Sequence, residues 1–143
     1  MMYVVDTNVI SELTKKEANC NVLAWLSAHD DELYLTSITI EEMRFGALML
    51  APGKHKTALS NTIEQIVECY SHRTLSFDAS AAEVCAQLHF EAIKKGRTPS
   101  IEDLMIAALC VTHDAVLVTR NVRDFSYLDI ALMDPFKDSA GDV

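Results

Sequence analysis

Four carboxylates, Asp6, Glu42, Asp103 and Asp124, each fall just after a short apolar run or in the first turn of a helix-like segment. Acidic side chains in that setting build a site for a hard divalent cation. If two of them lie about 5 Å apart while ionised, their repulsion at an effective dielectric of about 20 is roughly 3 kcal/mol. A cation or bound protons must compensate. Ligands that offer only oxygen favour Mg²⁺ or Mn²⁺, and Mg²⁺ typically keeps several waters while gripping one or two carboxylates plus a substrate phosphate. The chemistry suggested is phosphoryl transfer.

Around these acids lie Thr7, Asn8, Ser37, Thr119, Arg120 and Asn121, which could orient waters or phosphate. Arg120 suits bidentate phosphate contact. Each group also has a purely structural role open to it. Glu42 fits the last position of a Thr39-x-x-Glu42 capping box, and Asp103 the third helical position after Ser100. Asp124 has Arg120 and Arg123 close by for a loop ion pair. The threonines, Asn8 and Ser37 are ordinary helix-capping and turn residues, and Arg44 could pair with Glu41 or face a substrate. Asp6 is harder to dismiss, because a carboxylate ending a buried strand costs desolvation unless it is paired or metal-bound.

The elements that would position these groups alternate between short strands and longer helices. The pattern predicts strands over Tyr3–Asp6, Leu33–Thr36, Thr74–Phe77 and Ala115–Thr119, with an edge strand near Ile130–Met133. Helices are expected near Val22–Ala28, Ile40–Leu50, Thr57–Cys69, from Ser80 to Lys95 and over Ile101–Val111. Ser80-x-x-Glu83 reads as a capping box, and Gly96 as a helix stop. The Ile101–Val111 segment is apolar nearly all round apart from Glu102 and Asp103, so it should be central and buried, with its polar end projecting to a surface or a cleft. Such alternation implies parallel βαβ units, with strand-end residues where open α/β sheets bind ligands.

The 143 residues fit one domain, which at this size buries roughly 68–70% of its unfolded surface. No repeat or linker divides it, and a loose tail is expected over 137–143. No basic-then-apolar leader is visible, and the longest apolar run, Leu104–Val111, falls far short of the ~20 residues a membrane span needs. A soluble, cytoplasmic protein with no membrane role is expected. Cys20, Cys69, Cys85 and Cys110 form no C-x-x-C pair, and the last three take core-like helical positions, as free thiols would. The histidines show no zinc spacing.

The formal charge of −9 argues against tight nonspecific nucleic-acid binding, which depends on neutralising phosphate. It does not exclude a nuclease whose own carboxylates contribute to the total, and the same field would attract a basic protein partner. Lys54, His55 and Lys56, with Lys94, Lys95 and Arg97, make two short basic clusters. They could flank a nucleic-acid path, but solvated loop charge is the simpler reading.

Taken together, DTNVISEL, TSITIEEMRFG, SIEDLMIAAL and VTRNVRDF, in this order and spacing, resemble the PIN domain, specifically the VapC/FitB-like ribonuclease toxins of prokaryotic toxin–antitoxin pairs. The resemblance spans nearly the whole chain and implies a single PIN domain over 1–136, an α/β/α sandwich around a central parallel sheet. It makes Asp6, Glu42, Asp103 and Asp124 the acidic metal-binding and catalytic quartet, with Thr7 and Thr119 as polar neighbours. Some relatives place the last acid immediately after the Thr-Arg pair, where this chain has Asn121, and others use the position of Asp124. The implied activity is Mg²⁺-dependent endoribonuclease cleavage, with Mn²⁺ as an alternative ion, leaving a 5′-phosphate and a 3′-hydroxyl. The implied partners are an RNA substrate, a second copy in a homodimer and a cognate antitoxin, with operator DNA reached only through that antitoxin. Two rivals stand beside it. An aspartyl-phosphate phosphatase would use Asp6 as nucleophile, but has Asn8 where its second acid belongs; a non-catalytic interaction module would keep the acids as caps or as a dock for a basic peptide.

Overall fold

Five short strands, β1 (Tyr3–Val5), β2 (Leu33–Thr36), β3 (Thr74–Leu75), β4 (Val116–Val118) and β5 (Leu132–Met133), form the centre of the computed structural model, which describes residues 1–137. They lie in the order β3-β2-β1-β4-β5, and every pairing is parallel. The expected parallel sheet is therefore present, with β5 as the anticipated edge strand. The loose tail expected over 137–143 lies, beyond Lys137, outside the described residues.

Period-two alternation explains the two faces of the sheet, because successive strand side chains point to opposite sides. Val5, Leu33, Leu35 and Val118 join one apolar cluster, and Val4 and Leu117 join the other. The first cluster is covered by α1 (Thr7–Ile10), α2 (Cys20–Ala28), α3 (Ser37–Leu48) and α4 (Lys54–Cys69), through Val9, Ile10, Val22, Leu26, Met43 and Ile63 among others. The second is covered by α5 (Ala79–Lys94) and α6 (Ile101–Thr112), through Ala81, Ile106, Ala107 and Leu109. Helix α6 buries six residues, so the expectation of a central helix holds. Small side chains let α5 approach it, with Cys85 against Leu104 and Ala108.

The topology itself creates a cleft. From β1 the chain steps outward to β2 and β3, then crosses the sheet to β4 and continues outward to β5. Connections on the two sides of β1 and β4 thus leave in opposite directions, and the C-terminal ends of these neighbours form the switch point at which open α/β sheets admit ligands. Asp6 directly follows β1, and Thr119 directly follows β4.

Several expected helix boundaries are corrected. Helix α3 starts at Ser37 rather than Ile40, because the Thr36 hydroxyl caps the Thr39 N–H at 3.1 Å. Thr39 is therefore a buried residue inside the helix, and Thr39-x-x-Glu42 is not a capping box. Likewise α5 is capped by Asp78, which accepts from the Ala81 N–H at 2.9 Å, so Ser80-x-x-Glu83 is not its box. In both cases an equally good capping residue stands two or three positions upstream, and local sequence does not rank the two. Helix α4 begins three residues before Thr57, and β3 covers only Thr74–Leu75. Cys69 is exposed rather than core-facing, whereas Cys85 and Cys110 are buried.

Candidate active site

Asp6 stands at the switch point and is only 6% exposed. Its backbone is extended and it caps the short helix α1, with Oδ1 accepting from the Thr7 N–H at 2.8 Å. Oδ2 accepts from the Thr119 hydroxyl at 2.9 Å and from Asn8 Nδ2 at 3.3 Å. Thr119 is fully buried, and its hydroxyl in turn accepts from the Asn121 N–H at 3.1 Å. Asn8 ties the two loops together, since its Oδ1 accepts from the Arg120 N–H at 3.0 Å. Neutral donors therefore orient Asp6. No Lys or Arg side chain pairs with it among the described residues.

Glu42 projects from the second turn of α3, half-buried, and accepts from the Thr7 hydroxyl at 3.1 Å. Asp103 lies in the first turn of α6, where its N–H donates to the Ser100 hydroxyl at 3.2 Å. Ser100 is thus a true cap, yet the Asp103 carboxyl still opens into the cleft. Asp124 ends the 3₁₀ turn Val122–Asp124, held over the core by the fully buried Phe125. Its alternative partners are engaged elsewhere or free of it: the Arg120 guanidinium lies over the Phe136 ring, 4.6 Å from the centroid, and Arg123 makes no ion pair among the described residues.

These acids lie within reach of one another's charge. Burial pushes the Asp6 carboxyl above its ordinary range, against the donors Thr119, Thr7 and Asn8, and Asp124 pushes it further. Burial likewise raises Glu42, opposed by Thr7 and reinforced by the charges of Asp6, Asp103 and Glu102. Asp103 is raised by burial first and then by Asp6, Asp124 and Glu102, against the Ser100 contact. The fold therefore gathers all four predicted acids into one electrostatic neighbourhood, and none of them is ion-paired among the described residues. Among the described residues no three acid, imidazole or thiol groups converge closely enough to cage an ion alone. The four acids offer only oxygen donors, the ligand chemistry of a hard divalent cation.

The supporting residues sort into distinct roles. Thr7, Asn8 and Thr119 contact the acids directly, whereas Arg120 and Asn121 contribute backbone N–H groups to the scaffold. Ser37 is not part of the site, because its hydroxyl accepts from the Phe77 N–H at 3.3 Å and secures the segment after β3. Arg44 pairs with Glu64 across α3 and α4, and not with Glu41.

Two groups escaped the sequence reading. Glu102 adds to the acidic field, and its first-turn position in an acid-led helix was the available signal. Glu12, within DTNVISEL, is only 3% exposed, paired with Lys15, and accepts from the Asn19 N–H at 2.9 Å, pinning the start of α2. A lone glutamate beside two lysines gives no local sign of burial.

Two adjoining recesses of about 400 and 390 Å³ form the cleft, sharing Ser100 and Asp103. A larger hollow of about 740 Å³ lies elsewhere, between α2 and β5, walled by Tyr3, Trp25 and His29. It contains none of the four acids, so size does not locate the chemistry here.

The PIN domain family profile matches residues 3–130. The chain is 37% identical over 138 residues to the VapC ribonuclease Y4jK of Sinorhizobium fredii, an alignment covering 95% of this chain and 99% of that one. It is 36% identical over 139 residues to toxin FitB of Neisseria gonorrhoeae, covering 96% and 100%. The crystal structure of FitAcB from Neisseria gonorrhoeae superposes with a TM-score of 0.89 at 34% identity, over 96% of this chain and all of that one. FitAB bound to a DNA fragment gives the same TM-score at 35% identity, covering 96% of this chain and 98% of that one.

Proposed function

From the premise that this chain belongs to the PIN-domain family, among its VapC and FitB-type toxins, we propose that it is a Mg²⁺-dependent endoribonuclease. It acts as the toxin of a toxin–antitoxin pair and is restrained by a cognate antitoxin. The single observation that carries this reading is the buried, hydrogen-bonded Asp6, which has no cationic partner among the described residues, acts on Glu42 and Asp103 through its charge and is itself acted on by Asp124. Caps and loop ion pairs do not need acids gathered so, and a docking surface would not bury one of them behind three neutral donors.

Asp6 and Asp103 would hold the principal ion, with Glu42 and Asp124 completing the site directly or through water. The ion supplies a lowered water pKa and charge stabilisation on phosphate. The protein's part is positional. Thr119 and Asn8 fix the Asp6 carboxylate through Oδ2, and the Thr7 N–H fixes it through Oδ1. Thr7 fixes Glu42 at 3.1 Å, where a carboxylate can accept the proton of an attacking water.

VapC and FitB relatives carry names of ribonucleases and toxins, and structural neighbours include FitAB bound to a DNA fragment and a member of the VapBC family of toxin–antitoxin systems. These support a protein antitoxin as partner here and contact with operator DNA through that antitoxin; a homodimer is proposed as the working unit on the family resemblance alone. Asn8 at the position of the second phosphatase acid tells against the aspartyl-phosphate alternative.

The deciding experiment is incubation of a defined RNA panel with purified protein in Mg²⁺, in chelator, and with Asp6→Asn in parallel. Cleavage is expected only in the first. Full cleavage by Asp6→Asn, or none by the parent protein, would refute the assignment.

A further inference from the structure

The two arms of the acidic cleft differ in charge. On one, Glu41, Glu42, Glu102 and Asp103 line the wall with the exposed Phe45 and no cation. On the other, Arg97 and Arg123 stand beside Asp103, Asp124 and Tyr127. For a chain of net charge −9, a polyanion has few places to approach. An RNA phosphate in the first arm would meet only carboxylates, whereas the second offers two guanidinium groups, whose fork geometry fits phosphate oxygens.

Arg97 is held by the fold, not left on a loose loop. Helix α5 ends at Lys94, and the turn after it passes through Gly96, whose φ of +75° is open to glycine at little cost. The Gly96 N–H donates to the Ile93 carbonyl at 3.0 Å and the Arg97 N–H to the Ala92 carbonyl at 2.9 Å, the paired bonds of a Schellman turn. Lys95 Nζ clamps the turn to the next wall by donating to the Tyr127 carbonyl at 3.0 Å. The Arg97 guanidinium then lies over the Tyr127 ring, 5.2 Å from its centroid. Neither Arg97 nor Arg123 pairs with an acid among the described residues, so their donors remain available beside carboxylates they do not neutralise.

We infer that the recess between the Gly96–Ser100 loop and the Arg123–Tyr127 segment is the subsite for a non-scissile phosphate of single-stranded RNA. Arg97 and Arg123 grip the phosphate, and Tyr127 is the platform that orients Arg97. The strand therefore reaches the carboxylates from this arm. This assignment rests on the ribonuclease reading above.

The test combines two measurements on Arg97→Gln, Arg123→Gln and Tyr127→Leu, with Lys56→Gln on α4 as a control cation outside the cleft. A labelled single-stranded RNA oligonucleotide is titrated at several salt concentrations against each variant combined with Asp6→Asn, and cleavage kinetics are measured with Asp6 intact. Each arginine variant should reduce the slope of log K against log salt by about 0.7, the value for one single-strand phosphate contact. KM should rise about three- to tenfold with kcat within about twofold, the mark of lost binding rather than lost chemistry. Tyr127→Leu should add nothing to Arg97→Gln, and Lys56→Gln should change neither quantity. Unchanged slope and KM in both arginine variants, with the parent still cleaving, overturns the subsite and leaves the nuclease intact. Equal losses in Lys56→Gln overturn it as a general charge effect. A parent that cleaves no RNA removes the nuclease reading and the subsite with it.

Discussion

Replacing Thr119 by valine isolates the contact on which the orientation of Asp6 depends. The side chain is fully buried and its hydroxyl donates to Asp6 Oδ2 at 2.9 Å, so valine keeps the shape and deletes one charge-assisted hydrogen bond that water cannot replace. Hydrogen bonds to charged groups contribute about 1.5–3 kcal/mol. Asn8 Nδ2, at 3.3 Å, remains as a weaker donor to the same oxygen. At pH 7.5 without metal the variant should therefore lose about 1.5–3 kcal/mol in urea unfolding. The pH dependence follows from Asp6 itself. Its folded pKa is raised by burial, and the Thr119 contact acts in the opposite direction by favouring the ionised form. Removing the hydroxyl raises that pKa further, so the deficit is complete where Asp6 is ionised in both proteins and shrinks as pH falls through the raised folded value. Urea curves at neutral pH and near the ordinary carboxylate range provide the comparison. Cleavage should fall as well, and Thr119→Ser should restore both properties. A stability loss equal at the two pH values would show that the hydroxyl serves packing or the Asn121 N–H and not the Asp6 charge.

Asp6→Asn should abolish RNA cleavage yet raise the melting temperature in chelator, because it removes a carboxylate whose charge is disfavoured by burial and, in addition, by Asp124. Calorimetry in chelator checks the sign. The metal-free parent should lose stability as pH rises from the ordinary carboxylate range through the raised folded values of Asp6, Glu42 and Asp103, since over that window the folded state binds more protons than the unfolded state. Mg²⁺ should reverse the loss at neutral pH, and a thermal shift that is flat with pH and indifferent to Mg²⁺ would contradict the shared-field account. Ser100→Ala removes the cap of α6, at a cost of about 0.5–2 kcal/mol, and frees the turn that aims Asp103. Chemical denaturation and cleavage rate should fall together.

Much of the fold was legible because its signals are local. Val4 and Val5 face opposite apolar layers as strand alternation requires, α6 is buried as its nearly all-apolar surface demands, and Gly96 takes the left-handed conformation that a helix-ending glycine predicts. Helix starts were less legible. At α3 and α5 a second capping residue stood near the true one, and only packing of the preceding strand end or segment selects between them.

The sequence by itself determined the chemistry available: four acids at the ends of apolar segments, with hydroxyl and amide neighbours and an overall negative charge. It did not determine which of those acids share a field. Asp6 and Thr119 are 113 residues apart along the chain and meet because β1 pairs with β4 at the switch point. The same crossover turns Asp124 toward Asp6 and Asp103, and it leaves Arg97 and Arg123 in one recess while Arg44 is drawn away to Glu64. Electrostatic coupling falls with distance through space, and distance through space is set by strand order, which no local window of residues encodes.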